Sequence, residues 1–130
     1  MKMLGMGHVG INAADFSKSI VFYRDILGLE ELSTHKFDDF EMTMLKMPDG
    51  GWLELFDYGN RKHKAAKDDS AVGYRHFAFL VDDVEAWEKH LILNDVPIKM
   101  SSIVLEQLGT KAMLCTDPDG TEVELFELLK

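Results

Sequence analysis

The sequence predicts an α+β protein built from two copies of a βαβββ module, with eight strands in one curved surface and the helices outside it. Three observations predict this. Residues 48–56 read Pro-Asp-Gly-Gly-Trp-Leu-Glu-Leu-Phe, and residues 118–126, 70 positions on, read Pro-Asp-Gly-Thr-Glu-Val-Glu-Leu-Phe without a gap. A strand-like segment carrying a histidine also occurs twice, with His8 and His76 lying 68 positions apart. A helical pattern follows each histidine segment. Nearly equal offsets at both ends are what a duplicated module requires.

The elements follow in order. Residues 3–12 alternate, placing Val9 and Ile11 on one face and His8, Gly10 and Asn12 on the other, as in a strand packed on one side. Asp15 offers an N-cap. Phe16, Ile20, Tyr23 and Leu27 recur at helical spacing, and Gly28 supplies a stop, which predicts a helix over 16–27. Short strands are expected over 29–36 and 40–47. The Pro48-Asp49-Gly50-Gly51 turn then opens a strand whose Leu53 and Leu55 oppose Trp52, Glu54 and Phe56. Asp49 and Asp119 are expected to bond their own turn backbones.

Residues 59–72 are polar and poor in apolar anchors and read as a linker. The expected organisation is one domain over 1–130, with a first module over 1–58 and a second over 73–130. The second module repeats the plan. Phe77, Phe79 and Val81 alternate with His76, Ala78 and Leu80 over 74–81. Asp82 and Asp83 offer N-caps, with Glu85 placed for a capping box to Asp82. Val84, Trp87, Leu91 and His90 line the next helix. Pro97 opens an extended segment, Gly109 precedes another over 111–116, and the second Pro-Asp-Gly turn enters the last strand. There Val123 and Leu125 oppose Glu122, Glu124 and Phe126.

Composition bounds the function. A net charge of −9 argues against a nucleic-acid or anionic-membrane surface, since phosphates select cationic faces. The cations that do cluster, Arg61, Lys62, Lys64 and Lys67, read as a solvated loop. No apolar run is long enough to span a membrane and no export signal opens the chain, so a cytoplasmic protein is expected. The single cysteine, Cys115, sits among apolar residues and reads as a buried small side chain rather than a nucleophile.

One constellation carries chemistry. His8, Glu54, His76 and Glu124 occupy matching places in the two modules, all on the face turned away from the helices. A lone strand histidine is ordinarily structural; four aligned N and O donors point to a metal site. Two neutral imidazoles and two carboxylates cancel a 2+ charge. Without thiolates the mixed N and O set suits one divalent ion, zinc, nickel, cobalt, manganese or iron, and affinity order alone does not choose among them. Two further coordination positions can take neighbouring substrate oxygens. Gly10 and Ala78 leave room above the sheet. Trp52, Phe56 and Phe126 can wall a pocket. His35, His63 and His90 have no counterparts in the repeat and read as surface or packing residues.

Four stretches bear a further likeness: Gly7-His8-Val-Gly-Ile-Asn12, Phe22-Tyr23-Arg24-Asp25-Ile-Leu-Gly-Leu29, Gly73-Tyr-Arg-His76-Phe-Ala-Phe and Asp117-Pro-Asp-Gly-Thr-Glu-Val-Glu124-Leu. Through them the chain resembles the vicinal oxygen chelate superfamily, the glyoxalase–bleomycin resistance–dioxygenase family, over nearly its whole length. The resemblance implies two βαβββ modules in an eight-stranded half-open barrel around a divalent metal, commonly in a homodimer. Within the superfamily, the His8, Glu54, His76, Glu124 set is similar to glyoxalase I (lactoylglutathione lyase). That implies isomerisation of a methylglyoxal–thiol hemithioacetal to the S-lactoyl thioester through an enediolate. Glu124 would remove the proton and Glu54 would return it. Glutathione-dependent members carry an arginine and an asparagine where Asn12 and Tyr58 stand here, so the thiol is left open. Asn12 joins Trp52, Phe56 and Phe126 as a substrate-pocket candidate. The alternatives are another metalloenzyme of the superfamily (an epimerase, an antibiotic thiol transferase or a small extradiol dioxygenase) or a metal-free small-molecule binder.

Overall fold

The computed structural model describes residues 1–59, 61 and 68–130, and it divides into two compact units, Met1–Lys64 and Ala65–Lys130. The predicted α+β class holds. Each unit carries a four-stranded mixed sheet.

In the first unit, β1 (His8–Ala13) runs parallel to β4 (Trp52–Asp57), while β2 (Glu30–Lys36) and β3 (Glu41–Lys46) complete the order β1-β4-β3-β2 with antiparallel pairings. The alternation read from sequence is realised. Ile11, Ala13, Leu45, Leu53 and Leu55 are buried, whereas His8, Gly10 and Asn12 are exposed. Burying the leucines of β3 and β4 contributes about 1.5–3 kcal/mol per side chain relative to leaving it in water.

The helix after β1 departs from expectation. Asp15 caps it as predicted, accepting from the Ser17 N–H at 3.1 Å. The α-helical part, α1 (Phe16–Ile20), then widens into a π-helical turn over Val21–Ile26, closed by the Leu27 N–H to Phe22 carbonyl bond at 2.9 Å. The wider turn lets two adjacent aromatic residues, Phe22 and Tyr23, both be buried, with their rings edge to face at 4.7 Å. A 3.6-residue period assigns the inner face to Tyr23 and has no place for Phe22. Gly28, at φ +80°, stops the helix as predicted.

The second unit repeats the topology as β5-β8-β7-β6, from β5 (Phe77–Leu80), β6 (Ile98–Leu105), β7 (Thr110–Thr116) and β8 (Glu122–Leu128), with β5 parallel to β8. The strand expected over 74–81 is shorter than read, and His76 lies just ahead of it. Helix α2 (Val84–Leu93) is capped by Asp83, which accepts from the Ala86 N–H at 2.9 Å. The expected box between Asp82 and Glu85 gives way to this cap, and Glu85 pairs with Lys111 instead. Glu127 of β8 accepts from the Val84 N–H at 2.7 Å, which pins the positive end of α2 to its own sheet. Val84 and Leu91 are fully buried. His90 does not line the packed face; it is exposed and meets Trp87 edge-on at 5.5 Å.

Both Pro-Asp-Gly turns form, with Gly50 and Gly120 in the left-handed region at φ +97° and +80°. Asp49 accepts a long 3.4 Å bond from the Gly51 N–H. In the second turn it is the buried Asp117 whose carboxylate takes the Asp119 and Thr121 N–H groups, at 2.9 and 2.8 Å. Cys115 is fully buried, as expected. Lys62, His63, Lys64 and Lys67 lie outside the described residues. Among the described residues no helix is long and apolar enough to cross a membrane.

Candidate metal centre

Each unit brings its own histidine and glutamate together, and it does so through the parallel strand pair. In the first unit His8 is in register with Trp52 and Gly10 with Glu54. His8 therefore leans one step along the open face toward Glu54, and its Nε2 stands 3.5 Å from Glu54 Oε2. Gly10 forms the floor beneath them. A Cβ there would make ordinary contacts, with Phe56 at 3.4 Å and Glu54 Oε2 at 3.9 Å. In the second unit Ala78 is in register with Glu124, and His76 Nε2 approaches Glu124 Oε2 at 2.6 Å. Of the four predicted donors, the structure thus pairs His8 with Glu54 and His76 with Glu124. Among the described residues no three or more His, Cys, Asp or Glu side chains gather into one metal-holding group.

The donor chemistry of each pair fits a divalent ion. An imidazole nitrogen faces a carboxylate oxygen, no thiolate is present, and His76 Nδ1 is buried without a hydrogen-bond partner among the described residues. A buried, unpartnered polar atom is costly and signals a group that the protein chain alone does not complete. Glu54 and Glu124 keep 15% and 22% of their side-chain surface, so burial hardly separates them.

Their neighbours do separate them. Trp52, expected as a pocket wall, donates its indole N–H to Glu54 Oε1 at 3.1 Å and stacks on the His8 ring, with centres 5.5 Å apart. At the equivalent place in β8, Glu122 is an acceptor and is held by Lys99, which also reaches Asp69 Oδ1 at 2.6 Å. Lys99 holds the Asp69 carboxyl below its ordinary pKa through that hydrogen bond.

Of the other pocket candidates, Asn12 is exposed at the end of β1, in register with Phe56, while Phe56 and Phe126 are half-buried on the glutamate faces of β4 and β8. Phe56 joins a larger aromatic group that the sequence reading missed. Phe40 lies 5.5 Å from Phe56, 4.9 Å from Tyr58 and 4.7 Å from Phe37, and the Arg61 guanidinium sits 4.6 Å over the Tyr58 ring. Phe56 and Tyr58, two apart at the end of β4, with Phe40 just ahead of β3, were the available signal. Lys99 had none, because its partners are 23 and 30 positions away.

The sequence profile of the Glyoxalase/Bleomycin resistance protein/Dioxygenase superfamily matches residues 5–125. The uncharacterized protein YaeR of Escherichia coli (strain K12) is 33% identical over 131 residues, covering 96% of this chain and 99% of YaeR. The metallothiol transferase FosB of Staphylococcus saprophyticus is 30% identical over 121 residues, covering 92% of this chain and 74% of FosB. The solved structure of the trypanothione-dependent glyoxalase I of Leishmania major superposes with a TM-score of 0.74 at 28% identity, over 96% of this chain and 87% of that one.

Proposed function

This chain belongs to the Glyoxalase/Bleomycin resistance protein/Dioxygenase superfamily, and we propose that within it the protein is a metal-dependent lyase of the glyoxalase I type. It would convert the hemithioacetal of methylglyoxal and a small thiol into the S-lactoyl thioester. The observation that carries this reading is the matched pair of contacts, His8 Nε2 to Glu54 and His76 Nε2 to Glu124. A fourth donor is what separates this set from the two-histidine, one-glutamate pattern of the dioxygenases and fosfomycin-resistance enzymes.

On this reading the four side chains hold one ion, nickel or zinc ahead of cobalt, manganese or iron. When bound, that ion supplies Lewis-acid stabilisation of the two neighbouring substrate oxygens as negative charge develops on them. The imidazoles serve as neutral donors, and each carboxylate offsets one positive charge, so the centre is neutral overall. Glu124 would take the proton from the carbon beside the carbonyl and pass it to the carbonyl oxygen, while Glu54 would take the hydroxyl proton and return it to the adjacent carbon, so two protons move, no atom is gained or lost and both carboxylates end as they began. The hemithioacetal thereby becomes its isomeric thioester. Both carboxylates must be unprotonated or protonated in turn, which general acid–base catalysis requires. Phe56 and Phe126 give the substrate's apolar part a surface beside the two glutamates.

The thiol need not be glutathione. Asn12 and Tyr58 replace the arginine and asparagine of glutathione-dependent members, and the Leishmania major glyoxalase I is trypanothione-dependent. A second reading, thiol transfer to an antibiotic, is favoured by the 30% identity to FosB.

The test is a thioester-forming assay with methylglyoxal and several small thiols, on protein loaded with each candidate ion. Turnover is expected with at least one pairing, and Glu124→Gln should lower kcat by about 100-fold or more, the scale of a lost general base. A metal-holding protein that isomerises no hemithioacetal but consumes thiol with fosfomycin would replace this reading with the second.

A further inference from the structure

The two units repeat one strand pair, but the residue two places before each glutamate has changed character. In β4 it is Trp52, a donor; in β8 it is Glu122, an acceptor. Trp52 touches both donors of its half-site at once. Its Nε1–H bonds Glu54 Oε1 at 3.1 Å, and its ring lies 15° from parallel with the His8 ring. The other Glu54 oxygen, Oε2, is the one turned to His8 Nε2. One oxygen is therefore tethered and the other is presented. Glu122 provides no such tether, since Lys99 holds it, and among the described residues Glu124 is held by His76 alone.

We propose that Trp52 is a positioning residue: its N–H and its ring together fix Glu54 and His8 in place as metal ligands, a role with no counterpart in the second unit, where Glu122 stands instead. The inference rests on the metal-dependent reading above. The physical reason is twofold. A hydrogen bond to a carboxylate is charge-assisted and stronger than a neutral one, so it sets the rotamer of Glu54. Ring stacking limits the rotation of His8. Outer partners of this kind typically change metal affinity by about 10–100-fold.

The experiment separates the tether from the ring. Trp52→Phe keeps an aromatic ring to stack on His8 and removes the N–H. Metal-free protein is titrated with Ni²⁺ or Zn²⁺ against a competing chromophoric chelator, with circular dichroism confirming the fold. Trp52→Phe is expected to weaken binding by about 10-fold or more. Glu54→Gln should cost much less in that background than alone, whereas Glu124→Gln should cost the same in both, because only the first pair is in contact. Trp87→Phe leaves Trp52 as the sole tryptophan, and its emission in the metal-free protein should change with Glu54→Gln and not with Glu124→Gln. This readout stands even if Trp52→Phe fails to fold. Native affinity in Trp52→Phe, full additivity with Glu54→Gln, or Trp52 emission indifferent to Glu54→Gln would each overturn the proposal. Wild-type protein that binds neither ion sinks the metal reading, and this inference with it.

Discussion

Cys115 shows how far a single residue's environment decides its chemistry. It is fully buried, and its Sγ points to the Val123 carbonyl at 3.5 Å. Burial, with the nearby Asp117 carboxylate second, pushes its thiol up from 9.0 to about 11. The thiolate, the reactive form, is therefore suppressed at neutral pH. A thiol-reactive dye at neutral pH should label none of the native protein and one thiol per chain after unfolding; fast native labelling would refute the burial. The sign of the pH effect follows. The folded state keeps this proton above the pH at which the unfolded chain releases it. Cys115 therefore contributes nothing to the pH dependence below about 9 and lowers stability as pH rises from 9.0 to about 11. Urea unfolding across that range, compared with Cys115→Ala, isolates the contribution.

At the scale of the element, the repeated turn-and-strand explains its own differences. Position 51 is glycine in the first copy and its counterpart is Thr121 in the second. A Cβ at Gly51 would come within 2.6 Å of the Gly7 carbonyl oxygen, where the chain enters β1 next to His8. The obstacle is backbone, which cannot swing aside. Trp52 N–H also bonds that same carbonyl, at 3.2 Å. Gly51→Ala should accordingly destabilise the protein by about 1–3 kcal/mol, the range for overpacking, and lower metal affinity through the displaced His8. Thr121→Ala, in the second copy, should do neither. Equal thermal midpoints for the two variants would count against the close approach. The π-helical turn is the second lesson at this scale. Tertiary packing of Phe22 and Tyr23 overrode a regular 3.6-residue period, which the residue types by themselves cannot reveal.

For the whole molecule, an ion held by His8, Glu54, His76 and Glu124 together would link metal binding to folding. An ion bound by the folded state alone stabilises it by about 2.7 kcal/mol at 100 times its Kd. Saturating Ni²⁺ or Zn²⁺ should raise the melting temperature of the wild type. The rise should disappear in His8→Ala and in His76→Ala alike, since each removes one of four donors. A rise that survives in one of these variants would place the ion on a single half-site and exclude the four-donor centre.

The sequence by itself determined most of the fold. Period-2 alternation marked the buried faces of β1, β4 and β8 and the half-buried face of β5, the repeated Pro-Asp-Gly marked the hairpins, and Asp15 and Gly28 marked the first helix, because each signal is local and set by backbone sterics and burial. It also singled out the four candidate donors, since duplication aligns residues whatever their distance in space. Tertiary structure decided what a one-dimensional pattern does not encode. It chose Asp83 over Asp82 as the cap, shortened β5 so that His76 precedes it, and turned His90 outward. Above all, it changed Trp52 from a wall of the pocket into the partner of Glu54 and His8. Alternation says which face a side chain takes, but the direction of its hydrogen bond depends on rotamers and on the neighbouring strand.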